Sequence, residues 1–198
     1  EKKEKVTTLH PTIPDSEKHN FRITDDNLGV GGPKEKFRNN MAAINLLHEL
    51  EFENRLATPE EQEILAQYTG WGGLSDAFDE SKDNWASEFK ELYATLSPEE
   101  YNAARESTLT AFYTPPVVIR AMYEALEKMG LKRGNILEPS CGTGNFMGML
   151  PESLGSSKIY GIELDSVSSR IAQQLYQNSS IAPRGYEATD LPDSFFDC

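Results

Sequence analysis

The residues best placed to do chemistry lie in two short stretches, Ile136-Leu-Glu-Pro-Ser-Cys-Gly-Thr-Gly-Asn-Phe146 and Gly161-Ile-Glu-Leu-Asp165. In the first, Gly142 and Gly144 fall between a short apolar run and a helical pattern. A ligand can approach the backbone closely there, where the Cβ of any other residue would stand in its way. The helix that follows offers free amides and a positive dipole end, suited to a carboxylate or another anion. Glu138 closes the first apolar run four residues before Gly142, where its carboxylate can accept from a ligand ammonium. Glu163 closes the second run, and its two oxygens can hold two ribose hydroxyls. Singly, these features are a turn glycine and solvated strand-end carboxylates. Together, at these spacings, they point to a nucleoside-type ligand.

The spacing also discriminates among nucleosides. A dinucleotide site prefers Gly-x-Gly-x-x-Gly, but Met147 occupies the third position and Gly148 comes one step late. No Gly-Lys-Ser/Thr of a phosphate loop is present. A strand-end glutamate and a helix start without a pyrophosphate turn suit S-adenosylmethionine, with its amino acid and its ribose.

The elements that must position these groups are marked in the sequence. Residues 1–34, with Pro11, Pro14 and Gly29-Val-Gly-Gly-Pro33, form a segment expected to be extended or disordered. From about Glu35, Phe37, Met41, Ile44, Leu47 and Leu50 share one helical face. Thr58-Pro-Glu-Glu61 and Ser97-Pro-Glu-Glu100 each combine a capping hydroxyl, a proline at the first helical position and a glutamate three residues after the cap. The glycine-rich Thr69-Gly-Trp-Gly-Gly73 separates them. A short helix from Leu74 and another over about Asn84–Thr95 complete a helical unit over 35–107. In that unit Trp71 is expected to pack against its turn, and the acidic residues at 79, 80, 88 and 91 to form a solvated face.

From 108 to 198 strands alternate with helices, which implies parallel pairing in an α/β doubly wound sheet. A helix opening at Thr114-Pro-Pro116 carries Val118, Met122, Ala125, Leu126 and Met129 and is closed by Gly130. Strands are expected at Asn135–Glu138, Lys158–Glu163 and near Arg184–Ala188, with helices around Phe146–Leu150 and Val167–Gln177. Thr114 can serve as a helix cap alone, or as a cap that also contacts the ligand.

Phe112-Tyr-Thr-Pro115, Glu138-Pro-Ser-Cys-Gly-Thr-Gly-Asn-Phe146 and Gly161-Ile-Glu-Leu-Asp165 resemble motifs X, I and II of the adenine-N6 DNA methyltransferases. Their order is similar to the classes in which motif X precedes motif I. With Thr69-Gly-Trp-Gly-Gly73 and Asn20-Phe-Arg-Ile-Thr24, the chain resembles the large methylase–helicase proteins of bacterial conjugative elements and phages. The resemblance implies a partial Rossmann-like methyltransferase sheet preceded by the helical unit. It further implies that Thr114 contacts the methionine carboxylate and that Glu138, Cys141, Gly142 and Gly144 surround the methionyl part. Glu163 would hold the ribose, Leu164 would pack near the adenine, and Tyr186 and Glu187 would flank the adenine ring. An aspartate is common in that last place, and Asp190 is a substitute for it here. Closely similar motifs serve RNA and protein-glutamine methyltransferases, and a non-catalytic docking module of a mobile-element helicase is a further alternative.

Composition constrains how such a module would act. The formal net charge is -13 and the basic residues are spread out, with one modest concentration between Lys34 and Arg38. A surface that grips phosphates needs clustered Lys and Arg, so DNA is expected to be held by a downstream part of a longer protein. The two cysteines and three histidines show no metal-ligand spacing, and a reducing cytoplasm is the expectation. No apolar run approaches the ~20 residues of a membrane span, and no secretion signal opens the chain. The absent initial methionine and the strand-like approach to Cys198 suggest an excised piece. Adenine-N6 transfer uses an Asn/Asp-Pro-Pro-aromatic element to hold the flipped base, and the sequence contains none. The chain is therefore expected to bind cofactor without methylating. Radiolabelled methyl transfer to DNA by this chain alone should stay at background, and transfer above it would overturn that reading.

Overall fold

The computed structural model describes residues 8–198. Its helical part begins with α1 (Pro33–Glu53), which starts on a proline and ends at the left-handed Asn54. Phe37, Met41, Ile44, Leu47 and Leu50 are all buried along it, the face that the spacing implied. The short α2 (Pro59–Leu65) and α4 (Pro98–Ser107) both begin with complete capping boxes, through Thr58 with Glu61 and Ser97 with Glu100. Between them, single 3-10 turns at Ser75–Phe78 and Asp83–Trp85 lead into α3 (Ala86–Thr95).

The remainder is mixed α/β, built on a small three-stranded parallel sheet. Helix α5 (Pro116–Lys128) precedes β1 (Asn135–Glu138), and a single turn of helix, α6 (Asn145–Gly148), follows the glycines. Then come β2 (Lys158–Glu163), α7 (Ser166–Leu175) and β3 (Ser180–Pro183). The strand order is β1-β2-β3, with Asn135 opposite Lys158 and Glu163 opposite Pro183. On the free side of β1, Asp197 N donates to the Asn135 carbonyl, 2.8 Å away.

Three local expectations are corrected. The third strand lies at Ser180–Pro183, and Tyr186–Ala188 is a 3-10 turn. Ile181 and Ala182 pack inward, so the shorter and less conspicuous apolar pair forms the strand. Helix α5 buries Ile119 and Tyr123 and leaves Val118, Met122 and Met129 exposed. Two neighbouring stripes on this helix are apolar at helical spacing, and only tertiary packing selects between them. Thr114 does not cap α5: Pro115 holds the cap position and no side chain bonds there.

The described part of the segment before α1 is stitched to the α/β part. Phe21 is buried, its amide donates to the Leu175 carbonyl at 2.8 Å, and the Ile23 amide donates to the Gly148 carbonyl at 3.0 Å. Asn20 forms an isolated antiparallel bridge with Tyr176. Helices α1 and α2 pack on α7, and a single buried cluster runs from Phe37 and Trp71 through Ile119 to Ile171 and Ile181.

Polar contacts through this junction centre on Gln62, which is fully buried. Its amide nitrogen donates to the carbonyls of His19 at 3.1 Å, Gln174 at 2.8 Å and Leu175 at 3.1 Å. His19 Nδ1 donates to its amide oxygen at 2.7 Å. Gln174 and Gln177 reach back to the backbone of Ala57 at 2.8 Å each. Buried polar groups that lose a partner cost far more than the net worth of the bond. Replacing Gln62 by Ala is expected to lower unfolding stability by about 2–4 kcal/mol. Urea unfolding followed by both fluorescence and circular dichroism should still show one coincident transition, because the helices and the sheet share a core.

Candidate functional site

The ends of β1 and β2 are neighbours in register, which brings Glu138 and Glu163 to the same edge of the sheet. Past β1 the chain turns through Gly142, whose φ of 54° lies in the left-handed region. A Cβ on Gly142 would stand 2.6 Å from Cε1 of Tyr113, so this glycine is needed for space as well as conformation. Glu163 locks the turn: one oxygen accepts from Gly142 N at 2.8 Å and the other from Asp165 N at 2.8 Å. A carboxylate has about four lone-pair sites, so each oxygen keeps acceptor capacity for a ligand. Asp165 in turn caps α7 by accepting from Ser168 N at 2.8 Å.

A cavity of about 520 Å³ opens over this edge. It is lined by Thr114, Glu138, Cys141, Gly142, Glu163 and Leu164, six of the nine residues that the sequence singled out. Gly144, Tyr186 and Glu187 are not among its lining residues. Gly144, at φ 89°, faces the ring of Tyr176, which a Cβ there would strike. Tyr186 and Glu187 are exposed on their 3-10 turn, and Asp190 is also exposed. The glycine turn is followed by only one helical turn, so the dipole expected from a full helix is correspondingly small.

Sequence reasoning missed a further part of the wall. It comes from the end of α4 and the segment after it, through Glu106, Ser107, Thr110 and Phe112. The Thr69–Gly73 turn sets that wall. Trp71 is buried with edge-on contacts to Phe37 and Phe78, at centroid distances of 6.0 and 5.3 Å. Gly73 N donates to the Thr108 carbonyl at 3.0 Å. Gly72 lies so close to the backbone of Ala111 that a Cβ would overlap its carbonyl oxygen. The two adjacent glycines were the available signal, since such a run marks close backbone approach. What they approach was not legible.

Phe112 and Leu164 line the cavity yet are 76% and 74% exposed, leaving apolar surface free for a flat ligand. The floor is made of hydroxyls: Tyr113 OH lies 3.4 Å from Ser168 Oγ, and Tyr68 is buried beside them. Tyr113 and Thr114 also line a second cavity of about 170 Å³, together with Asp25 and Asp26.

The electrostatics have one sign. Glu106, Glu138, Glu163 and Asp165 line the larger cavity, and no Lys, Arg or His is among its described lining residues. Among the described residues no three His, Cys, Asp or Glu side chains converge to hold a metal ion, so these carboxylates are spread along the cavity. Burial pushes up both the Tyr68 and Tyr113 hydroxyls, and the charge of Asp165 adds to the effect in each. Burial, with the charges of Glu163 and Glu138, likewise raises the Cys141 thiol. The thiol is held neutral, a packing group rather than a nucleophile.

Glu138 is raised above its ordinary value by burial first and by Glu163 as well, against the lowering influence of the Ser140 backbone amide. A carboxyl whose folded value is raised favours the fold fully below its unfolded value of 4.5, and that benefit disappears as pH rises through the folded value. Ionised Glu138 therefore weighs against stability at neutral pH. Glu138→Gln is expected to leave the melting temperature unchanged near pH 4 and to raise it at pH 7–8, as differential scanning fluorimetry across pH would reveal.

No helix among the described residues is long and apolar enough to cross a membrane. No family model matches the chain, and no solved structure matches it. The chain is similar to the Defense against restriction protein B of Escherichia phage P1, with 29% identity over 160 residues. That stretch is 80% of this chain and 6% of the phage protein.

Proposed function

We propose that this chain is the cofactor-binding part of an S-adenosylmethionine-dependent methyltransferase that modifies adenine N6 in DNA. The observation that carries the reading is the cavity over the β1 and β2 ends, lined, among the described residues, by four carboxylates and no Lys, Arg or His. A phosphate-bearing ligand would meet only repulsion there, whereas S-adenosylmethionine brings an ammonium and a sulfonium against one carboxylate. When bound, the cofactor supplies an electrophilic methyl group on its sulfonium.

The chain's own residues fit the parts of that molecule. Glu138 would accept from the ammonium, and its burial makes that pairing stronger than at an open surface. Glu163 would take the ribose hydroxyls on its remaining lone pairs. Leu164 and Phe112 would cover the adenine, and the Thr114 hydroxyl is left for the methionine carboxylate, since the Gly142 amide is already given to Glu163. Cys141 and Gly144 would support this arrangement from behind, the one by filling space and the other by leaving it to Tyr176.

The choice of DNA as substrate rests on the motif resemblance, and the name of the phage relative supports it. Restriction nucleases cleave unmodified sites, so methylation of an adenine within a site protects it. The chain spans 6% of that relative, and its charge is unsuited to gripping phosphates. DNA binding and the methyl acceptor site accordingly belong to other parts of a longer protein, acting in the cytoplasm where its DNA is.

Calorimetric titration tests the cofactor. S-adenosylmethionine should bind saturably, NAD should not bind, and Glu163→Ala should weaken the first at least tenfold. Lack of S-adenosylmethionine binding by the folded chain would overturn the proposal.

A further inference from the structure

The wall contributed by α4 adds a carboxylate to the cavity that the strand-end motifs did not imply. Glu106 stands on the last turn of that helix, exposed, and lines the same cavity as Glu138 and Glu163. Its neighbours along the wall, Ser107 and Thr110, are neutral, and the adjacent Arg105 does not line the cavity. The wall is not free to swing away. Gly73 ties Thr108 by a 3.0 Å backbone bond, and Gly72 leaves no space against Ala111. Carboxylates of one sign in a cleft with apolar flanks focus a negative potential in the space between them.

Resting on the cofactor reading above, we propose that Glu106 makes this site discriminate by charge between the methyl donor and its spent form. Loss of the methyl group breaks the carbon–sulfur bond and returns its electron pair to sulfur. The positive sulfonium becomes a neutral thioether, while the ammonium, carboxylate, ribose and adenine are unchanged. A cavity that holds all of those equally well retains the product as tightly as the donor. This cavity draws its carboxylates from α4 as well as from the strand ends, so the lost charge is felt, and the spent cofactor leaves more readily than the donor. Glu106 is then a specificity-determining residue supplied from outside the sheet, and the helical part has a role in turnover beyond packing.

Isothermal titration of the 198-residue chain with S-adenosylmethionine, S-adenosylhomocysteine and sinefungin, whose ammonium stands in place of the methylated sulfur, tests this. The donor and sinefungin should each bind roughly tenfold or more tightly than S-adenosylhomocysteine. Raising salt from about 0.05 M to about 0.5 M should narrow that ratio. Glu106→Gln should reduce the ratio severalfold and leave S-adenosylhomocysteine affinity nearly unchanged, with the melting temperature confirming the fold. Equal binding of donor and product by the native chain would overturn this inference and leave the cofactor reading standing. Equal weakening of both ligands by Glu106→Gln would likewise overturn it. No binding of any of the three would sink the cofactor reading itself.

Discussion

The site depends on one carboxylate that works twice. Glu163 holds Gly142 N with one oxygen and Asp165 N with the other, and so joins the loop after β1 to the loop after β2. Without that clamp, the left-handed turn at Gly142 and the start of α7 would have to be fixed independently. Parallel pairing of the strands makes it possible, because adjacent strand ends bring their outgoing loops to the same edge. The same register sets Glu138 near Glu163. The fold thus accepts electrostatic repulsion at the place where it leaves acceptors free.

The helical part lines the cavity as well as packing on the α/β part. Its position is held where the Gly72 backbone lies against that of Ala111, with no space for a Cβ between them. Trp71 anchors the turn from the other side, among Phe37 and Phe78. The buried amide of Gln62, bonded to His19, Gln174 and Leu175, gives the interface directional bonds where apolar contact alone would permit sliding. A cavity built between two such surfaces inherits their rigidity.

Much of this was legible in the sequence wherever a local pattern had a local cause. The first two strands, the buried face of α1 and both capping boxes need only short-range rules, and six candidate residues do meet at one cavity. The failures share a cause too. The α5 stripe, the third strand and the role of Gly144 were each decided by a surface distant in sequence. Tyr176 claims the space at Gly144, and Ile181 finds the core where Tyr186 does not. Glu106 carries no local sign of function, being one acidic residue among many on the exposed side of a helix. Only the fold brings it to the cavity that Glu163 also lines.

The segment around Asn20–Ile23 lies against α7 and α6, with His19 N bonded to a side chain 158 positions later in the chain, that of Gln177. Such a pairing has a kinetic meaning. A ribosome delivers the first partner long before the second, so this segment has no docking surface until α7 has emerged. Closing so long a loop is entropically unfavourable until many contacts form together. Completion of the fold is therefore postponed to the end of this stretch of synthesis, and the early apolar residues, Phe21 among them, pass that interval uncovered.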